Sequence, residues 1–505
     1  MSSRRLAYLS LLSAITVLAN STLAYSGTIA PQKPVRSILI CYFAGPTDYQ
    51  SRSVGAAVGR MLRYRASNLY QLSNLPPLNV VERIMRENRL SGRLSLKTPD
   101  ALKIARASGQ EWVLTGSVKR IGDKFLISAE IFGVSTGRMI GGPISVSGSE
   151  ADLPRLETDL ARNIFAGIGV QFSARQRAEL SKPLTNNPKA IRLLGDFLLA
   201  KRELAPGFLS KLTALDPYFA LGAVHRADQL LDAARYQEVI ELARLWSRRL
   251  PRNRDFPSYE FGALVSLGRY GEASAALKRI DANYPNSFSV TLLRHWLDRV
   301  QGNAGAALET ARMLTELNPA SSEGYGRLAI ASLEHGLRIG ESLDVSQMNP
   351  GKARDFEKDI ETACLAGETA VGIDPRYEDM WLALMAAYRE QGRHGKSLQA
   401  YRKVMSLNAQ NRDAMSSQAL NYLCRKDFKS ARKLWERCMS SNRRHTDALV
   451  GLALCSKMSG DLKGADRFIR RALAVDRNCA NAANLRCRRY WPLQLTEAAG
   501  RLGKV

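Results

Sequence analysis

The stretch WLALMAAYREQGRHGKSLQAYRKVMSLN, residues 381–408, poses the question on which the fold turns. Trp381, Leu384 and Tyr388 fall on one side of a helical wheel, then Gly392 interrupts. Ser397, Tyr401 and Val404 repeat the spacing on a second segment. Such a stripe is either the wall of a binding pocket or the seam between two packed helices.

Outward from this stretch the chain repeats. Pro217, Pro251, Pro285 and Pro319 are spaced by 34 residues, and Pro375 follows after one further period and 22 inserted residues. Ala409, Arg443 and Arg477 continue the same frame. On that frame the residue opening the mid-repeat turn is Ala234, Gly268, Gly302, Gly336, Gly392, Lys426 or Gly460. Glycine suits a tight link between antiparallel helices because it tolerates positive φ at a helix end. A later column is mostly small: Val239, Ala273, Ala307, Ala363, Ser397, Ala431 and Ala465. Small side chains are what two closely approaching helices require.

These columns, with Trp381, Leu384 and Tyr388 and the turn in LGRYGEASAALKRIDANYP (267–285), resemble the tetratricopeptide repeat over residues 186–505. The resemblance implies about eight helix–turn–helix repeats, a degenerate first one included, and a closing helix. Each unit buries its apolar face only by stacking on its neighbours. The family's glycine in the first helix is absent (Ala227, Phe261, Ala329, Met385, Ala419, Ala453), so local helix spacing is expected to vary. An insertion at 337–359, with a turn at Met348–Gly351, is expected to leave the solenoid at a helix–helix link.

The resemblance also implies a concave groove lined by the first helix of each repeat. The candidate partner contacts are Trp296, Arg299, Asp379, Leu382, Ala386, Arg389, Asp413, Leu420, Asp447 and Leu454. This mixed apolar and charged surface suits a peptide or a helix. No set of Lys and Asn matches the family's carboxylate clamp.

Residues 35–175 have another texture and are expected to form a small α/β layer domain, joined by a linker at 176–187 to an all-α solenoid at 188–505. RSILICYFA (36–44) reads as a buried strand, 53–71 as a helix, LNVVERI (78–84) as a short strand and 100–109 as a helix. A hairpin turned at Gly122-Asp123, another strand from GRMIGGPISVSG and a helix at 153–170 follow. The order, with Gly116-Ser117-Val118, Ile131-Phe132 and the Thr136-Gly137 turn, resembles the amino-terminal domain of TolB-like proteins, related to the CsgG family. That resemblance implies a non-catalytic envelope protein acting in assemblies.

The N-terminus carries Arg4 and Arg5, an apolar stretch from Leu6 to Ala19 and small residues before Ala24. It reads as a secretory signal over residues 1–24, with an uncleaved anchor as the alternative, and implies the periplasm or the cell exterior. No later stretch is apolar enough to span a membrane. The excess of 73 basic over 47 acidic side chains concentrates at the end: residues 412–505 carry 20 basic and 8 acidic ones. Arg467, Arg470, Arg471, Arg486, Arg488 and Arg489 form a candidate basic patch for an anionic partner. Base-stacking and groove-reading motifs are missing, so nucleic acid is not the expected partner. The seven cysteines include no CxxC pair; an odd count leaves one unpaired, and buried free thiols are the alternative to disulfides. No phosphate loop, HExxH or nucleophile elbow occurs, and no cofactor is expected. Asp359 and Glu361, at i and i+2, diverge rather than pair. The expectation is a non-catalytic exported scaffold that binds a peptide or protein partner. The alternative is an envelope assembly or secretion component that oligomerises through its first domain.

Overall fold

The computed structural model describes residues 37–45, 48–72, 75–76, 78–90, 95–339, 349–479, 481, 485 and 490–502. The signal at 1–24, the centre of the insertion, Cys487 and Arg486, Arg488 and Arg489 lie outside the described residues. The fold is mainly α with a small α/β region.

Four strands form one sheet in the order β1 (Ile38–Ile40), β2 (Trp112–Ile121), β3 (Lys124–Gly133), β4 (Ile144–Ser149). β1 pairs parallel to β2, and the other pairs are antiparallel. The β2–β3 hairpin turns at Gly122, whose φ is +63°. Helices α1 (Tyr49–Ser67) and α4 (Leu153–Gly167) cover one face, packing Val54, Met61, Leu156 and Leu160 on Ile38, Leu114 and Ile127. Helices α2 (Leu78–Glu87) and α3 (Thr98–Ala107) cover the other, packing Val80, Ile84 and Ile104 on Leu39 and Val113.

Residues 78–84 are therefore helical, not a strand. Val80, Arg83 and Ile84 are buried while Glu82 is exposed, the i, i+3, i+4 pattern of a helix; a strand would bury residue 82 together with 80 and 84. A further helix, α5 (Ala174–Leu180), is opened by a capping box between Ser173 and Gln176. The segment read as a linker thus begins inside a helix.

Eight helix pairs follow among the described residues: α6 (Pro188–Leu199) with α7 (Ala205–Leu215), α8 (Ala220–Asp232) with α9 (Tyr236–Arg249), α10 (Asp255–Ser266) with α11 (Tyr270–Asn283), and α12 (Phe288–Val300) with α13 (Ala304–Leu317). The series continues with α14 (Ser322–Ile339) and α15 (Pro350–Ile373), α16 (Glu378–Glu390) and α17 (His394–Leu407), α18 (Arg412–Cys424) and α19 (Phe428–Ser441), and α20 (Thr446–Met458) and α21 (Leu462–Val475). A closing helix, α22 (Leu493–Leu502), packs on α20 and α21. No helix among the described residues is long and apolar enough to cross a membrane.

The stripe in 381–408 is a seam. Leu384, Tyr388, Ser397 and Val404 are buried between α16 and α17, with Trp381 and Tyr401 partly buried at its margin. Ala234, Gly268, Gly302, Gly392, Lys426 and Gly460 all have positive φ, between +56° and +82°, as the turn column requires. Gly336 departs from that column. It lies within α14, where a Cβ would come 3.1 Å from the Cβ of Asp359 and 3.2 Å from the Cδ1 of Ile360. Its missing side chain lets α15 approach, and the flanks of the insertion lengthen both helices instead of leaving the stack at once.

The α/β unit and the first repeats share one continuous core, running from Ile38 and Phe125 through Leu194 and Phe219 to Trp246 and Phe256. Helix α6 lies against α1 so closely that a Cβ on Gly195 would fall 2.0 Å from the carbonyl oxygen of Ser53. Further along, the unit docks on the turns between repeats. Asn253 donates to the Tyr64 hydroxyl (2.8 Å), and Tyr284 donates to the carbonyl of Asn68 (3.1 Å). Asn318 donates to the carbonyl of Gly109 (3.0 Å), and Ser322 to that of Ala107 (2.6 Å). These partners flank the proline positions 251, 285 and 319, so the column that defines the period also forms the edge that holds the α/β unit.

Candidate functional site on the inner face of the repeats

The first helix of each pair presents its later turns to one side of the stack, and charged groups from three repeats meet there. Arg299, at the end of α12, forms a two-pronged pair with Glu334 of α14, its Nη2 2.5 Å and its Nε 3.0 Å from the carboxylate. Burial alone would lower the Arg299 pKa, but Glu334 outweighs it and holds the guanidinium charged. Glu334 also accepts from the Tyr490 hydroxyl at 3.4 Å. Arg389, at the end of α16, donates to the carbonyl of Tyr490 and to the hydroxyl of Ser417 (3.0 Å). Two of the residues expected in the groove, Arg299 and Arg389, are thus brought together through Tyr490, a residue outside the repeat frame.

Four expected contacts are buried. Leu420 and Leu454 are buried in one apolar cluster with Leu485, Trp491, Leu495, Ala499 and Leu502. Trp491 is fully buried and stacks on Trp435 with centroids 6.4 Å apart and planes 18° from parallel. Trp435 is itself fixed by a bond from its Nε1 to Ser416 (3.2 Å). Ala386 and Arg389 are likewise buried. These four do not line open surface; Leu420 and Leu454 share their cluster with the C-terminal stretch, and Arg389 holds the Tyr490 carbonyl.

The remaining contacts lie elsewhere. Trp296 packs edge-to-face on Phe261 (5.6 Å, 68°) and belongs to the seam between two repeats. Asp379 and Asp413 are exposed, and Asp447 and Leu382 are half-buried. Asp379, Asp413 and Asp447 hold the same place at the start of α16, α18 and α20. The His445 imidazole sits 3.9 Å from Asp413 and accepts from the backbone N–H of Ala448.

At the opposite side of this face, Arg83 of α2 reaches in from the α/β unit. It lies 2.9 Å from Glu87, 3.3 Å from Asp374 and 3.5 Å from Glu323, with its guanidinium 3.6 Å from the centroid of the Tyr377 ring. Arg327 also pairs with Glu323 at 2.6 Å. Burial pushes Glu87 up to about 8, with Arg83 opposing and Asp374 adding to the shift.

The basic end divides. Arg467, Arg470 and Arg471 are exposed on α21; Arg470 pairs with Asp466 (2.8 Å), while Arg467 and Arg471 lie over the Phe468 ring at 5.3 and 5.9 Å. Phe468, Met439 and Leu452 floor a depression of about 410 Å³ rimmed by Arg443 and Arg471.

The histidines take packing and capping roles. Burial pushes His295 down to about 3, and its Nδ1 meets the carbonyl of Ala307 (2.9 Å). His335 pairs with Asp359 at 2.5 Å. Six cysteines are free, five of them buried, so among the described residues the thiol alternative to disulfides holds. No group of three or more metal-ligating side chains occurs among the described residues.

Sequence reasoning missed Tyr490, Trp491, Glu334 and Arg83. The available signal for the first two was the aromatic pair before Pro492, directly after the last repeat.

One protein family matches part of the chain: the bacterial transcriptional activator domain, over residues 357–426, which span the end of the fifth repeat to the start of the seventh. No curated protein matches the chain. Among solved structures, a tetratricopeptide repeat protein from Parabacteroides merdae is 10% identical, covering 56% of this chain and 98% of that one, with a TM-score of 0.43. PilW, a type IV pilus biogenesis factor, is 15% identical over 44% of this chain and 92% of its own, with a TM-score of 0.35. The human IFIT1 dimer with m7Gppp-AAAA is 18% identical over 64% and 77%, with a TM-score of 0.36. The chain is similar to these proteins in its helical-repeat fold.

Proposed function

We propose that this chain is a non-catalytic interaction scaffold that holds a peptide or protein partner on the inner face of its repeats. The observation that carries this reading is the recurrence of like positions on α16, α18 and α20, with Asp379 and Asp413 open to solvent and Leu382 half-exposed beside them. A chain laid across stacked repeats meets the same chemistry at each step, which is how solenoids build extended binding surfaces. The leader-like N-terminus and the resemblance of the first domain to TolB-like proteins support an exported scaffold working in the periplasm or outside the cell. The exposed arginines of α21 support an anionic partner at the basic end.

The test is crosslinking capture from envelope fractions with the full chain. The shared core argues against cutting the repeats away from the α/β unit. A protein captured by the wild type and lost from the Asp379→Lys/Asp413→Lys/Asp447→Lys chain supports docking on the inner face; equal capture by both sinks it. The alternative, an envelope assembly that oligomerises through its first domain, draws on β4, whose outer edge is unpaired among the described residues. Ring-sized species of the full chain in solution favour that reading, and a monomer favours the scaffold.

A further inference from the structure

The C-terminal segment does more than close the last repeat. A cap needs only to cover α20 and α21, as α22 does. Tyr490 and Trp491 instead reach back along the inner face to three earlier repeats. The Tyr490 carbonyl takes a hydrogen bond from Arg389, 101 residues away, and its hydroxyl reaches Glu334, 156 residues away. Trp491 stacks on Trp435, and Leu495, Ala499 and Leu502 share one buried apolar cluster with Leu420 and Leu454.

This is how a bound peptide is held: a main-chain carbonyl taken by an arginine, an aromatic anchor in an apolar slot, and an apolar helical face behind it. The contacts fall where the repeat frame places ligand contacts, at Arg389, Leu420 and Leu454. Tyr490 also has φ +54°, a left-handed backbone that a bulky side chain rarely adopts and that only its surroundings maintain. A segment that pays in backbone strain for its place is poised to give way to one that fits the slot without it.

We propose that residues 490–502 are the resident occupant of a docking cleft on the fifth to eighth repeats, and that the cleft's external partner is a segment of the same chemistry. That segment carries adjacent tyrosine and tryptophan side chains leading into an apolar helix, and its binding displaces the chain's own end. This deepens the scaffold reading and rests on it, since the cleft is part of the inner face.

The probe is a fluorescent peptide of sequence LRCRRYWPLQLTEAAGRL, residues 485–502, titrated into the full-length chain. Trp491→Ala weakens the resident segment, so the peptide is expected to bind that variant at least tenfold more tightly than wild type. Adding Arg389→Met to the variant, or removing the tryptophan from the peptide, is expected to reverse the gain. A Trp491→Ala chain with wild-type circular dichroism and no tighter binding overturns the proposal. Amide exchange of the wild-type chain tests it without any variant. Amides of α22 are expected to exchange at least a hundredfold faster than those of α10 and α11, and equal protection overturns displacement. Uptake of peptide only by a concentration-dependent dimer overturns it in favour of a second copy as occupant. Because the probe is the chain's own segment, its failure leaves the scaffold reading intact, and failed envelope capture leaves the peptide result intact.

Discussion

Replacing Arg83 with methionine tests how the α/β unit is held on the solenoid. The wild-type guanidinium faces three carboxyl groups and a tyrosine ring, and the residue is 8% exposed. Methionine fills much of the stem's volume and removes the charge. Glu323 keeps Arg327 at 2.6 Å, and Asp374 keeps the backbone N–H of Arg376 at 3.2 Å. Asp374 therefore bears most of the loss. Breaking a buried pair by deleting one partner costs about 3–5 kcal/mol, and the retained bonds place this case near 3 kcal/mol. At about 1.4 kcal/mol per factor of ten, amides of α2 that exchange through opening of this contact should exchange about a hundredfold faster. Native-state hydrogen exchange at pH 7.5 measures it residue by residue. Arg83→Met/Asp374→Asn should bring exchange back to within about tenfold of wild type, because the stranded charge is gone. Exchange in Arg83→Met within about threefold of wild type, or a double variant no slower than the single, would refute the reasoning.

Other expectations follow from the same geometry. Burial holds Glu87 near 8, against its usual 4.5, so the folded chain keeps a proton there that the unfolded chain releases. Its contribution to stability therefore falls as pH rises between those values, and Glu87→Gln should raise the urea midpoint at pH 8.5 but not at pH 4.5. Leu384→Ala, at the centre of the α16–α17 seam, should cost about 2–5 kcal/mol in chemical denaturation. Leu382→Ala, one face round and half-exposed, should cost about 1 kcal/mol or less by the same measurement. Ala234→Gly and Lys426→Gly relieve left-handed backbone at two repeat turns, and each should raise stability by about 0.5–1 kcal/mol.

The repeat array was legible because its register is local. A 34-residue frame places turns, small residues and seam residues by spacing alone, and Ala234 and Lys426 hold the turn conformation even without glycine. Gly336 misled because a glycine in the turn column can equally serve close helix packing, and the inserted residues shift the true end of α14. Residues 78–84 misled because a short apolar run with two β-branched valines fits a strand until Glu82, which a strand would bury beside Val80 and Ile84, is seen to be exposed. The groove was half legible. The frame marks Arg299, Arg389, Leu420 and Leu454 as inward-facing, but nothing in it says that Tyr490 and Trp491 lie in front of them. Contacts between residues 83 and 374 or 334 and 490 have no period, so composition and spacing carry no trace of them.

The bond between Asn68 and Tyr284 closes a separation of 216 residues, that between Arg83 and Asp374 one of 291, and that between Arg389 and Tyr490 one of 101. An open solenoid can nucleate at any repeat and zip outward, one neighbour at a time. This chain cannot finish that way. Its repeats can stack early, but closing the long loops waits on an entropy cost that no neighbour repays. The ties from Asn68 to Tyr284 and from Arg83 to Asp374 also oppose, over the repeats they span, the spring-like bending by which free-standing solenoids adjust their curvature.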